Sequence, residues 1–180
     1  MVRAFVGLGS NLGEREVTLR AVVGRLRGLP DVEVKQVSSF RDTEPVGYVD
    51  QPRFLNGAVE LETGLTARAL LGALLELERA FGRDRTTGPP HGPRTLDLDL
   101  LLYGDETIDE PLLKIPHPRL HERQFVLEPL VELDRDLEVP HPLLLERRFV
   151  LEPLAAIAPD LEIPGNGTVS DALTGLQSGA

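Results

Sequence analysis

The sequence predicts an α+β domain with a ferredoxin-like βαββαβ core, in which an antiparallel sheet carries two helices on one face, followed by a C-terminal extension. Three observations predict it. Apolar residues alternate with a period of two in short segments; they recur at helical spacing in two longer segments; and the order is strand, helix, strand, strand, helix, strand. A length of 180 residues suits one domain with a substantial core. Residues 1–180 are therefore read as a single domain.

The first strand is RAFVGL, residues 3–8, ending at Gly9, with GLGSNLG read as the turn that follows. Residues 14–29 then place Val17, Ala21, Val22, Leu26 and Leu29 at helical spacing, and Pro30-Asp31 ends that helix. In the next strand, running to about Phe40, Val32, Val34 and Gln36 share a face. Residues 41–53 contain Pro45, Gly47 and Pro52 and read as a long loop. In FLNGAVELE, Leu55, Gly57, Val59 and Leu61 point one way, and Phe54, Asn56, Ala58 and Glu60 the other. Thr66 can cap a second helix with Leu70, Leu71, Leu74, Leu77 and Phe81 on its stripe and Gly82 at its end. RDRTTGPPHGPR is irregular and precedes the strand TLDLDLLLY, where Leu96, Leu98 and Leu100 face the core and Asp97 and Asp99 the opposite side. With both helices on one face, the other face is free for a site.

Composition removes several classes of function. There is no cysteine, which excludes a disulfide scaffold, a thiolate zinc site and a cysteine nucleophile. No apolar run reaches the ~18 residues of a membrane span, and the N-terminus lacks a signal-peptide pattern, so a soluble, cytoplasmic protein without a membrane partner is expected. A net charge of −10 with only 8 aromatic residues argues against a general nucleic-acid binder, which relies on phosphate neutralisation and base stacking. A nucleotide needs only a local cationic patch and stays open.

Past Tyr103 the chain repeats itself. Residues 117–140 align without gaps to residues 141–164, with 15 of 24 positions identical. Two copies are too few for a solenoid, so this is a local tandem duplication.

The strongest chemical signal is Asp97-Leu98-Asp99. Alternation puts both carboxylates on one face of a strand, a pattern that suits Mg²⁺ shared between carboxylates and substrate phosphates; a merely solvated pair of charges is the alternative. Arg79, Arg83, Arg85 and Arg94 cluster just before it, with Arg119 and Arg123 extending the cationic set if the later segment folds back. Guanidinium groups offer a fixed fork of donors to phosphate oxygens. The Gly/Pro-rich loop that holds Arg85 suits a lid over a phosphate-bearing substrate. GLGSNLG is not a dinucleotide fingerprint, because Leu12 stands where the third glycine is required. A turn that lets backbone approach a ligand, or a cap from Ser10 or Asn11, both stay open. Asn56 can donate and accept, as recognition of a heterocycle edge requires.

Taken together, GLGSNLG, FLNGAVELE, FGRDRTTGPPHGPRTLDLDLLLYG and IPHPRLHERQFVLEPL resemble, over nearly the whole chain, the 6-hydroxymethyl-7,8-dihydropterin pyrophosphokinases of folate biosynthesis. The resemblance implies transfer of pyrophosphate from ATP to the pterin hydroxymethyl group, releasing AMP, by a monomer using two Mg²⁺ ions. It implies Asp97 and Asp99 as metal ligands and Arg85, Arg94 and Asp97 as catalytic residues. It implies Glu78, Arg85, Arg94, His117 and Arg123 as ATP contacts, and Thr43, Val46, Phe54, Asn56 and Phe125 as pterin contacts. His91 stands where the family usually carries a lid tryptophan, and Glu44, Leu75 and Pro118 also depart from its pattern. The first repeat lies at the family's spacing from Asp99, so it is expected to make the site and the second to pack as the structural C-terminus. Another Mg-dependent nucleotidyl or phosphoryl transferase on the same scaffold is the alternative.

Overall fold

The computed structural model describes residues 1–83, 92–120, 123–134 and 137, and the backbone of 162–163 and 167–168. In chain order its elements are β1 (Val2–Ser10), α1 (Arg15–Arg27), β2 (Val32–Val37), β3 (Arg41–Thr43), β4 (Phe54–Thr63), α2 (Ala67–Ala80) and β5 (Asp97–Tyr103). They are followed by β6 (Ile108–Glu110), β7 (Leu113–Ile115), α3 (Gln124–Leu133), β8 (Glu162–Ile163) and β9 (Gly167–Thr168). The main sheet has the order β2-β4-β1-β5, every neighbour antiparallel, with β3 pairing the beginning of β4.

The apolar alternation selects the faces. Ala4, Val6 and Leu8 of β1, Val59 and Leu61 of β4, and Leu98 and Leu100 of β5 pack in one core with both long helices. Leu19, Val22, Val23 and Leu26 come from α1, and Leu70, Leu74 and Leu77 from α2. Thr66 caps α2 as expected, its hydroxyl accepting from the Ala69 N–H at 3.2 Å, and Gly82 follows with a positive φ of 80°.

Four expectations are corrected. β1 runs to Ser10, so the first half of GLGSNLG is strand, held in register with Gly57 to Leu55 of β4 and Leu98 to Asp97 of β5. The buried stripe of α1 is Leu19-Val22-Val23-Leu26, an i, i+3, i+4, i+7 set, which leaves Val17 64% exposed. In β2 a bulge between Val34 and Gln36 resets the alternation, so Val37 and not Gln36 packs against the core. The segment read as loop from 41 to 53 begins with β3, whose pairing puts Thr43 opposite Phe54.

The second face of the sheet is only partly open. α3 packs against it with Val126, Leu127, Leu130 and Val131 buried. Carboxylates fasten the helix down. Glu132 accepts from the Ser39 backbone N–H and hydroxyl, both at 2.6 Å, Glu128 pairs with Arg41 at 2.9 Å, and Asp134 with Arg3 at 2.6 Å. The site occupies the part of this face that α3 leaves uncovered. The second repeat, apart from the backbone of 162–163, and the lid residues 84–91 lie outside the described residues.

Candidate active site

Three adjacent strands supply the floor. Gly9 of β1 is paired with Asn56 of β4 on one side and Asp97 of β5 on the other, and Gly7 is likewise flanked by Ala58 and Asp99. Because side chains on one strand face repeat every two residues, Asp97 and Asp99 stand about 6.6 Å apart along β5. The Gly9 position is tight. A Cβ there would lie 2.8 Å from Asn56 Oδ1 and 3.5 Å from Asp97 Cβ, so glycine leaves the space that the two functional side chains use.

The paired carboxylates are matched by cations from three different segments. Asp97 is bonded to Arg83 and lies 3.2 Å from Arg94 Nη1. Asp99 lies 3.4 Å from Arg123 Nη1 and 3.8 Å from His117 Nε2. Burial opposes ionisation of Asp97, but Arg94 and Arg83 more than offset it and hold its carboxyl below the ordinary range. Asp99 moves the other way, raised by burial and then by the negative charge of Asp97. Burial also lowers the His117 imidazole, against the pull of Asp99.

Beside the carboxylates a cavity of about 380 Å³ is lined by Thr43, Val46, Phe54, Asn56 and Phe125, with Arg94, Asp97, Arg119 and Arg123 on its polar side. Asn56 Nδ2 donates to Thr43 Oγ1 at 2.7 Å. The Arg94 guanidinium lies 5.1 Å from the centre of the Phe54 ring, and that of Arg123 lies 5.6 Å from the Phe125 ring. A cavity of mixed lining, with the Phe54 and Phe125 rings, an amide and several charged groups, fits a flat polar heterocycle.

The expected residues are thus largely brought together, with two differences. Glu78 does not line the cavity. It is 1% exposed, and its carboxylate accepts from the Leu98 N–H at 2.8 Å and from Arg83 at 2.5 Å. Arg85 lies outside the described residues. In the sequence Arg83 is one member of a charge cluster; in the fold it bridges Glu78, the Leu96 carbonyl and Asp97. The signal available was its place directly after Gly82, five residues beyond Glu78.

The donor set fits Mg²⁺. Among the described residues no group of three or more His, Cys, Asp or Glu side chains gathers as metal ligands, so a cation on Asp97 and Asp99 would complete its shell with water or substrate oxygens. Charge balance supports this. Arg83, Arg94 and Arg123 are offset by Glu78, Asp97 and Asp99, so a polyphosphate bound here needs accompanying cations. The buried Nε of Arg94 is a donor without a partner among the described residues, as a site for an anionic ligand would present.

Residues 5–135 match the family described as 7,8-dihydro-6-hydroxymethylpterin-pyrophosphokinase (HPPK). The chain is 47% identical over 135 residues to the 2-amino-4-hydroxy-6-hydroxymethyldihydropteridine pyrophosphokinase of Bacillus subtilis, covering 75% of this chain and 80% of that one. It is 44% identical over 135 residues to the protein of the same name from Pseudomonas aeruginosa, covering 75% and 82%. Among solved structures it is similar in fold to the HPPK-DHPS of Plasmodium falciparum solved with pterin and p-hydrobenzoate, with a TM-score of 0.52 and 15% identity. That match covers 98% of this chain and 44% of the longer one. Among the described residues, no helix is long and apolar enough to cross a membrane.

Proposed function

This chain belongs to the HPPK family, and on that premise we propose that its activity is carried out at the arginine-bracketed carboxylates of β5 and the cavity beside them. The activity is transfer of a pyrophosphoryl group from ATP to the hydroxymethyl group of 6-hydroxymethyl-7,8-dihydropterin in folate biosynthesis. The observation that carries the assignment is the juxtaposition of Asp97 and Asp99, three arginines from separate segments, and a slot walled by Phe54 and Phe125.

The pterin lies in the slot, its ring between Phe54 and Phe125 and its polar edge on Asn56, with Thr43 and Val46 completing the wall. Asn56 both donates and accepts, which matches the mixed edge of a pterin. ATP lies across Asp97, Asp99, His117 and Arg123, with Arg94 on its phosphates; Arg85, outside the described residues, is assigned to the phosphates by family resemblance alone. Asp97 and Asp99 would hold two Mg²⁺ ions, which would supply neutralisation of the charge on the phosphate oxygens. The pterin hydroxyl oxygen attacks the β-phosphorus, the bond from that phosphorus to the oxygen of the α-phosphate breaks, and AMP departs with the electron pair. The hydroxyl proton is given up as the new bond forms, and Asp97, whose carboxylate lines the cavity, is the proposed acceptor.

Such transfers depend on positioning and on stabilising charge spread over the phosphoryl oxygens, not on covalent chemistry by the protein. Arg94 is held at the right place for this, between Asp97 and the slot. Arg83 and Glu78 act beneath the site, fixing Asp97 and the β5 backbone. The β2-β4-β1-β5 order is read as the ferredoxin-like arrangement, with the chain as a single domain, a monomer and cytoplasmic.

The first repeat makes the site. It supplies His117, Arg123 and Phe125, and its Glu132 and Asp134 hold α3 to Ser39, Arg41 and Arg3. The aligned residues of the second repeat are Ala156 and Ala158, which cannot make those bonds. The deciding experiment is incubation with ATP, Mg²⁺ and hydroxymethyl-dihydropterin. AMP and a diphosphorylated pterin should form in equal amounts; release of ADP or free pyrophosphate instead would defeat the reading and favour another transferase chemistry on this scaffold.

A further inference from the structure

Asn11 follows the last residue of β1 and is 2% exposed although polar. Its side chain makes three hydrogen bonds to two separate segments. Nδ2 donates to Gln51 Oε1 and to the Pro52 carbonyl, each at 3.0 Å, and Oδ1 accepts from the Arg94 backbone N–H at 2.7 Å. Its own backbone N–H donates to the Arg94 carbonyl at 3.1 Å. One residue therefore satisfies both backbone polar groups of Arg94. The amide oxygen takes the place of the acceptor that a longer strand would offer. These bonds do not cap α1, whose N-cap residue is Glu14 and has no side-chain capping bond.

The two segments that Asn11 joins are the two sides of the candidate site. Arg94 carries its guanidinium to Asp97 and over the Phe54 ring. Gln51 and Pro52 lead into β4, which presents Phe54 and Asn56 to the slot. The role needs one acceptor and two donors on a short stem; Asp supplies no donor and Ser no second arm. Exposed polar turn residues are usually replaceable, whereas a fully bonded buried amide is not.

We propose that Asn11 is a positioning residue for the pyrophosphoryl transfer, setting Arg94 against the reacting phosphates through Oδ1 and its backbone N–H, and setting the pterin wall through Nδ2. The proposal rests on Arg94 acting at the phosphates. Asn11→Ala removes both arms, and Asn11→Asp keeps the acceptor toward Arg94 while removing the donors to Gln51 and Pro52.

The test is steady-state kinetics with ATP, Mg²⁺ and hydroxymethyl-dihydropterin for Asn11→Ala, Asn11→Asp, Arg94→Ala and the Asn11→Ala/Arg94→Ala double variant. Displacing a positioned group by an ångström costs on the order of a hundredfold in rate, so Asn11→Ala should lower kcat by about tenfold to a hundredfold with the KM for ATP little changed. Asn11→Asp should chiefly raise the KM for the pterin and keep a kcat well above that of Asn11→Ala. In the Arg94→Ala background, Asn11→Ala should cost much less than it does alone, because the two residues act as one unit. Fully additive losses, or equal kcat for the Ala and Asp variants, would overturn the proposal. Should Asn11→Ala not fold, Asn11→Asp decides: a loss of kcat with an unchanged pterin KM refutes it. Full activity of Arg94→Ala would instead refute the assignment of Arg94 on which it stands.

Discussion

Replacing Gly9 with alanine should separate pterin recognition from ATP binding. The added Cβ would sit 2.8 Å from Asn56 Oδ1, whereas carbon and oxygen in contact normally stand about 3.3–3.6 Å apart, so the amide must move by at least about 0.5 Å. Asn56 is 8% exposed and bonded to Thr43 Oγ1 at 2.7 Å, so the movement strains or breaks that bond. Losing one neutral hydrogen bond and absorbing one methyl group together cost about 1.5–4.5 kcal/mol of stability. The effect on the ligand is larger relative to its total. A misplaced amide loses its donor and its acceptor contact at about 1–1.5 kcal/mol each, which weakens pterin binding by about thirtyfold to 150-fold. Toward ATP the same methyl group meets Asp97 Cβ at 3.5 Å, an ordinary contact, so nucleotide affinity should hold within about twofold. Fluorescence titration of the pterin, calorimetric titration of a non-hydrolysable ATP analogue with Mg²⁺, and urea unfolding measure the three quantities. Gly7→Ala is the control, since its nearest neighbour is a Leu101 methyl at 3.5 Å. A pterin affinity within threefold of wild type, or an equal loss of ATP affinity, would show that Asn56 and Gly9 do not form the recognition edge.

Asp97→Ala should reduce turnover by more than about a thousandfold, since it removes a metal ligand and uncovers Arg83 and Arg94; circular dichroism should still report a folded chain, and retained turnover would remove the metal role. Arg123→Ala should lower kcat/KM for ATP by about a hundredfold, from loss of a charged contact of about 2–3 kcal/mol, while Arg147→Ala in the second repeat leaves it unchanged; the reverse pattern in the same assay would transfer the site to the second repeat. The Glu132 carboxyl is held down by the Ser39 hydroxyl and N–H and by Arg41, against the opposing effect of burial. A lowered folded value means that its contribution is complete above the ordinary 4.5 and is lost as pH falls through the folded value. Glu132→Gln should therefore be less stable than wild type by about 1 kcal/mol at pH 7, and the two should converge in acid; a constant difference by thermal unfolding down to pH 3 would contradict this.

Much of this architecture is legible in the sequence because alternation maps directly onto strand faces. Leu96, Leu98 and Leu100 against Asp97 and Asp99 identify which side of β5 is core and which is chemistry, and the amphipathic stripe of α2 and its Thr66 cap are equally local. In α1 the expected stripe is right at Val22 and Leu26 and fails at Val17 and Ala21, because Leu19 and Val23 compete with them for the same helix and only packing against the sheet chooses between the two sets. The bulge in β2 is likewise invisible to a strict period of two, since it exists only in the pairing with β4.

The site divides in the same way. The kinds of group required, paired carboxylates, arginines and a two-sided amide, are chemical properties of Asp97, Asp99, Arg94 and Asn56 and can be read from the chain. Their partnerships are not, because they join residues far apart in sequence. Gly9 brings Asn56 to within reach of Asp97 across three strands, Arg123 reaches Asp99 only once α3 has docked through Glu132 and Asp134, and Glu78 turns inward because Leu98 N–H and Arg83 need its carboxylate. Asn11 shows the same division in one residue. Its sequence neighbours alone suggest a helix cap, whereas folding places it against the Arg94 N–H and the Pro52 carbonyl, and its buried amide bonds these instead of the first turn of α1.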